Sequence, residues 1–204
     1  TEAACLADVP VLYVGLELDE LGIFTRLLGL RARCQWSDIY LAQDRTLVEN
    51  ALNRHQHELQ KWPLYFEPSP PMGWNHENLY RRVEILRSIH PSGPILLILD
   101  YLQLVSGDER DLRERIRSAA YGARAAARDL GASVLLISSV AREQYKAVNG
   151  SQLQSSEETT TGYSGRYPSI AATRFIGLGK ESGEIEYAAD TVMAMCRDTY
   201  EELN

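Results

Sequence analysis

Two stretches of this chain, Ile95 to Leu99 and Val134 to Ile137, are apolar at every position, and a third, Val9-Pro10-Val11-Leu12-Tyr13-Val14, is β-branched and aromatic. A strand with one wet face alternates apolar with polar side chains; a strand with no polar side chain must be covered on both faces. Amphipathic helical stretches separate these runs, so the pattern predicts an α/β fold, a mostly parallel sheet with helices on both faces. In such a sheet ligands bind beyond the carboxyl ends of the strands.

The helices are legible from spacing. Asp19 and Glu20 favour a helix start, with Leu21, Phe24, Leu27 and Leu28 on one face. A second helix is expected from about Leu47 to Lys61, then a short strand Pro63-Leu64-Tyr65-Phe66 and a turn from Pro68 to Gly73. Leu79, Val83, Leu86 and Ile89 predict another helix, closed by Pro91, Gly93 and Pro94. Leu112, Ile116, Ala119, Ala123, Ala126 and Leu130 form the stripe of a long one, with Glu109 and Asp111 each four residues before an arginine. A final strand is expected at Thr191 to Met195. The Ser-, Thr-, Gly- and Glu-rich stretch Asn149 to Gly165, within a wider segment 143–174, reads as a mobile loop inside the domain.

The 204 residues suit one domain, large enough to bury a core without disulfides or metals. The three cysteines, Cys5, Cys34 and Cys196, stand singly, against a disulfide scaffold or a zinc cluster. No run is long enough to cross a membrane and no basic-then-apolar leader opens the sequence, so a cytoplasmic location is expected. The formal net charge is −7, from 28 acidic and 21 basic residues. Nucleic acid would have to be held by a small local patch, because phosphate contacts need positive charge.

The residues after each strand carry the candidate chemistry: Gly15-Leu16-Glu17, Asp100-Tyr101-Leu102-Gln103, and Ser138-Ser139. Asp100 closes an apolar strand, which suits either a carboxylate holding Mg²⁺ beside a phosphate or one that caps a neighbouring helix. Glu17 is either a general base for an attacking water, if its strand neighbours that of Asp100, or a first-turn helix acid. Ser138 and Ser139 could donate to a phosphate. A G-x-x-x-x-G-K-[ST] phosphate loop is missing: at the one Gly-Lys pair, Gly179-Lys180, the residue after the lysine is Glu181 and the first glycine is replaced by Arg174. His55 and His57, two apart on a helix, point to different faces and do not form a metal pair. Trp36, Trp62 and Trp74 are scattered.

Three segments, Val11-Leu12-Tyr13-Val14-Gly15-Leu16-Glu17-Leu18, Leu99-Asp100-Tyr101-Leu102-Gln103-Leu104 and Lys180-Glu181-Ser182-Gly183-Glu184-Ile185-Glu186-Tyr187-Ala188-Ala189-Asp190, occur in the order seen in the RecA-like motor domain of DnaB-type replicative helicases. Together they resemble that family over nearly the whole chain, Val9 to Tyr200. The resemblance implies a RecA-like P-loop NTPase fold over 1–204 without the P-loop, which the family carries just before the segment matching Thr1 to Ala7, and without the arginine finger, one strand beyond the last residues; the chain is then either a piece of a longer motor, cut at both ends, or a protein that has lost the parts that bind ATP. It implies ATP and Mg²⁺ as cofactors, single-stranded DNA as partner, and a ring of identical subunits, a hexamer, in the intact protein. By that resemblance Glu17 is the catalytic glutamate that activates water and Asp100 the Walker B aspartate that serves Mg²⁺, through water. Gln103, Ser138, Ser139 and Arg142 form the nucleotide-sensing set; where the family has a glutamine, this chain has Ser139. Lys180, Glu181 and Gly183 match the channel loop that grips DNA, with lysine in place of the more frequent arginine. The rivals are a RecA-, RadA- or KaiC-like ATPase in recombination or regulation, and a non-catalytic RecA-like assembly module.

Overall fold

The computed structural model describes residues 1–68, 73–107, 111–139 and 184–193. Four strands, β1 (Val11–Gly15), β2 (Leu64–Pro68), β3 (Ile95–Asp100) and β4 (Ala132–Leu136), form one sheet in the order β2-β1-β3-β4. All three pairings are parallel. The helices are α1 (Glu2–Leu6), α2 (Glu20–Ala32), α3 (Trp36–Tyr40), α4 (Arg45–Leu59), α5 (His76–Ile89), α6 (Leu112–Leu130) and α7 (Glu184–Ala188), with a 3-10 turn at Leu102–Leu104.

The period-two alternation of the strands sorts the core into two layers. Leu12, Val14, Ile95, Leu97 and Leu99 point to the face covered by Leu79, Val83 and Leu86 of α5 and by Ile116, Ala119 and Ala126 of α6. Val11, Tyr13 and Ile98 point to the other, against Cys5 of α1 and Ile23 of α2. Helices therefore cover both faces of β1 and β3, as their apolar runs require, while the second face of β4 stays exposed at Ser133 and Leu135. Outside α2 a smaller cluster of Leu28, Ile39, Ala51 and Leu59 holds α3 and α4. Arg31 of α2 ties the layer together, with one guanidinium nitrogen 3.2 Å from Glu2 of α1 and another 2.6 Å from Glu58 of α4.

Several expectations are corrected. Leu21 is 55% exposed and Ile89 54%, so neither belongs to its helix's inner face; Ile23 and Thr25 are buried on α2 instead. The apolar stripe of a helix is wide enough that only the packing partner decides its edge. The second long helix runs Arg45–Leu59 with Asp44 as its N-cap, and α3 precedes it without a periodic signal. Asp111 caps α6 by accepting from the Arg113 backbone N–H and is not a helical i,i+4 partner. β4 covers Ala132–Leu136 and leaves Leu135 39% exposed. Thr191 to Met193 form no strand, and Ala194 and Met195 lie outside the described residues. The segment 143–174, with Asn149 to Gly165 inside it, also lies outside them.

Arg87 near the end of α5 shows how the helix ends are satisfied. It donates to the carbonyls of His90, Gly93, Leu130 and Gly131, over 2.7–3.1 Å. These oxygens include the unpaired carbonyls left where α5 and α6 stop, and Gly131 turns the chain there in the left-handed conformation at φ 63°. Arg87→Ala is expected to lower stability by about 1–2 kcal/mol, a fall of ~2–8 °C in the thermal midpoint. An unchanged midpoint in a circular-dichroism melt would remove Arg87 from this role.

Candidate functional site

The carboxyl edge of the sheet assembles the site. β1 and β3 are neighbours, with Gly15 opposite Asp100, and the Leu16 N–H donates to the Asp100 carbonyl at 2.8 Å. The condition for Glu17 to work beside Asp100 is thus met. The chain turns sharply at this point because Gly15 has no side chain: a Cβ there would lie 2.6 Å from the Leu18 carbonyl oxygen and 3.0 Å from the Phe66 ring.

Glu17 is exposed, two residues beyond the end of β1. It is not a first-turn helix acid, because α2 begins at Glu20 and Asp19 is its cap, accepting from the Gly22 N–H at 2.7 Å. Among the described residues Asp100 caps no helix either. Its Oδ2 accepts from the Tyr13 hydroxyl at 2.5 Å, and its Oδ1 has no hydrogen bond among the described residues. The Tyr13 phenol is pushed well above its ordinary pKa, first by burial, then by the hydrogen bond to Asp100 and the Asp100 charge, with Glu17 adding to the effect and Arg26 opposing it.

Gln103 sits in the 3-10 turn that follows Asp100 and reaches across to the loop after β4. Its Nε2 donates to Ser138 Oγ at 2.8 Å, and its Oε1 accepts from the Ser139 backbone N–H at 3.1 Å. The backbone repeats the link: the Leu102 N–H donates to the Ile137 carbonyl at 2.8 Å and the Ile137 N–H to the Leu99 carbonyl at 3.0 Å. Ser139 joins through its backbone, so its short side chain does not weaken this contact. Glu17, Asp100, Gln103, Ser138 and Ser139 are thus brought to one edge, while Arg142, Lys180, Glu181 and Gly183 lie outside the described residues. Tyr13 is the residue that sequence reasoning missed: it reads as a buried strand aromatic, and only the register shows its diagonal relation to Asp100.

Hard divalent cations such as Mg²⁺ take carboxylate oxygens and water, using one or two carboxylates together with substrate phosphate. The open Oδ1 of Asp100 fits that role. Among the described residues no group of three or more His, Cys, Asp or Glu side chains could hold a metal alone. No helix of the described residues is long and apolar enough to cross a membrane.

The four-stranded parallel sheet with helices on both faces matches the RecA-like fold of helicase ATPase domains. The sequence model of the DnaB-like helicase C-terminal domain matches residues 1–204, and the chain belongs to that family. Among solved structures it is similar to a DnaB-like replicative helicase described with its interactions with primase, at 17% identity and a TM-score of 0.70 over 98% of this chain. It is also similar to a second protein, described as an ATPase domain, at 17% identity and a TM-score of 0.69 over 97% of this chain. The chain spans 43% of the first of those chains and 63% of the second. No curated protein matches it in sequence.

Proposed function

We propose that this chain is the motor portion of an ATP-dependent DNA helicase of the replicative type, which moves along single-stranded DNA as a hexameric ring in the cytoplasm. The observation that supports this best is the convergence of Glu17, Asp100 and the Gln103–Ser138–Ser139 link at one sheet edge, in a chain of the DnaB-like family.

Glu17 serves as the base that orients and deprotonates the attacking water, and its exposure leaves its carboxylate free for solvent-derived water. Asp100, whose Oδ1 carries no hydrogen bond among the described residues, would hold Mg²⁺ there, directly or through water. When bound, Mg²⁺–ATP supplies the scissile phosphoanhydride and the charge that polarises it. These residues make up the metal and water side of the site; no G-x-x-x-x-G-K-[ST] cradle for the phosphates stands in the 204 residues. Gln103 connects the turn after Asp100 to the loop after β4, which gives nucleotide state a mechanical route toward Arg142 and the segment beyond it.

Lys180, Glu181 and Gly183 form the DNA-gripping loop in this reading. A single cation per subunit, repeated around a ring, reconciles a net charge of −7 with DNA binding. Lys180→Ala in the intact protein is expected to weaken single-stranded DNA binding and to flatten its salt dependence, since a phosphate contact per subunit is lost. Fluorescence anisotropy across a salt series measures both, and an unchanged affinity would remove Lys180 from the DNA path. The function as a whole is tested by strand displacement from a forked duplex with Mg²⁺ and ATP; DNA-stimulated hydrolysis without displacement would favour a recombination-type ATPase.

A further inference from the structure

The Tyr13 hydroxyl has one hydrogen-bond partner among the described residues, Asp100, and several features of the fold direct it there. Tyr13 stands opposite Ile98 on β3, so Asp100, two residues on, is its diagonal neighbour on the same face of the sheet. Gly15, directly opposite Asp100, presents no side chain of its own. The ring is 7% exposed and stacks on Phe66 of β2, with centroids 6.0 Å apart and planes 21° from parallel. With Phe66 on β2 and Ile98 on β3 beside it, the phenol oxygen is held in position.

Packing alone does not call for that oxygen, because phenylalanine would fill the same space. We propose that Tyr13 is a positioning residue for the metal-serving carboxylate: its O–H fixes Asp100 by Oδ2 and turns Oδ1 outward to the cation's hydration shell. The inference rests on the reading of Asp100 given above and deepens it. The terminal torsion of an aspartate is broad and roughly two-fold, so a carboxylate without support samples several orientations. A hydrogen bond to one oxygen narrows that range before a cation arrives. Removing groups that orient metal-serving side chains in this way lowers metal affinity by about 10–100-fold. A phenol is protonated at neutral pH and donates without adding charge.

The test uses the intact protein and Mn²⁺ as a paramagnetic probe, with free Mn²⁺ read by electron spin resonance in the presence of a non-hydrolysable ATP analogue. Tyr13→Phe, Asp100→Asn and the double variant form a cycle, with nucleotide affinity in the absence of metal and the thermal midpoint measured alongside. Tyr13→Phe is expected to weaken Mn²⁺ binding about 10–100-fold, to leave metal-free nucleotide affinity unchanged, and to add nothing in the Asp100→Asn background. Mn²⁺ affinity weakened by Asp100→Asn but unchanged by Tyr13→Phe overturns the role of Tyr13 and leaves that of Asp100 standing. An equal effect of Tyr13→Phe in both backgrounds overturns it too, since the hydroxyl would then act by another route. Wild-type Mn²⁺ affinity in Asp100→Asn removes the reading of Asp100, and with it the inference.

Discussion

Glu17→Gln in the intact protein is expected to reduce ATP turnover by about 10²–10⁴-fold while nucleotide affinity stays within about two-fold of wild type. The carboxamide keeps the size of the side chain and can still hydrogen-bond water, but it cannot accept the proton that an attacking water must lose. Each tenfold loss corresponds to about 1.4 kcal/mol of barrier, so the expected effect is roughly 3–5 kcal/mol on the chemical step alone. Glu17 makes no hydrogen bond or ion pair among the described residues and caps no helix, so its replacement has little structural effect to confuse the result. Steady-state hydrolysis with a parallel fluorescent-nucleotide titration separates the two quantities. Turnover within a few-fold of wild type would remove Glu17 from the role of base, and a matching loss of nucleotide affinity would make it a binding residue instead.

What the sequence made legible follows from the kind of signal each feature leaves. β1 and β3 are buried on both faces, and such strands show themselves as unbroken apolar runs. Register leaves no local mark. Glu17 and Asp100 stand 83 positions apart in sequence, and only the pairing of Gly15 with Asp100 shows that their strand ends lie side by side. The same holds for Gln103 and Ser138, joined across 35 positions by one hydrogen bond. Family resemblance supplies those associations without the sheet, but it has nothing to say about Tyr13, whose significance comes from a diagonal contact. Short elements fail differently: α3 has five residues, too few to display a period, and it is held by Ile39 packing under α2. Leu21 and Ile89 read as inward because a leucine or isoleucine at helical spacing looks the same whether or not a neighbour covers it.

Leu99→Ala is expected to cost about 2–5 kcal/mol, a large part of the roughly 5–15 kcal/mol by which domains of this kind are stable. Leu99 is 0% exposed and lies in the larger core cluster, on the face of the sheet covered by α5 and α6. Its strand is interior, with Val14 of β1 on one side and Leu136 of β4 on the other. Neither neighbouring strand can close over the missing side chain without breaking a parallel ladder, so a cavity remains and its cost adds to the lost transfer energy. The thermal midpoint should fall by ~4–20 °C. Ile89→Ala, at a position of the same apolar class that is 54% exposed, should shift stability by no more than about 0.5 kcal/mol, while Leu99→Met should cost under about 1.5 kcal/mol. Equal midpoints for the two alanine variants would show that the sheet face at Leu99 is not the core that holds the site.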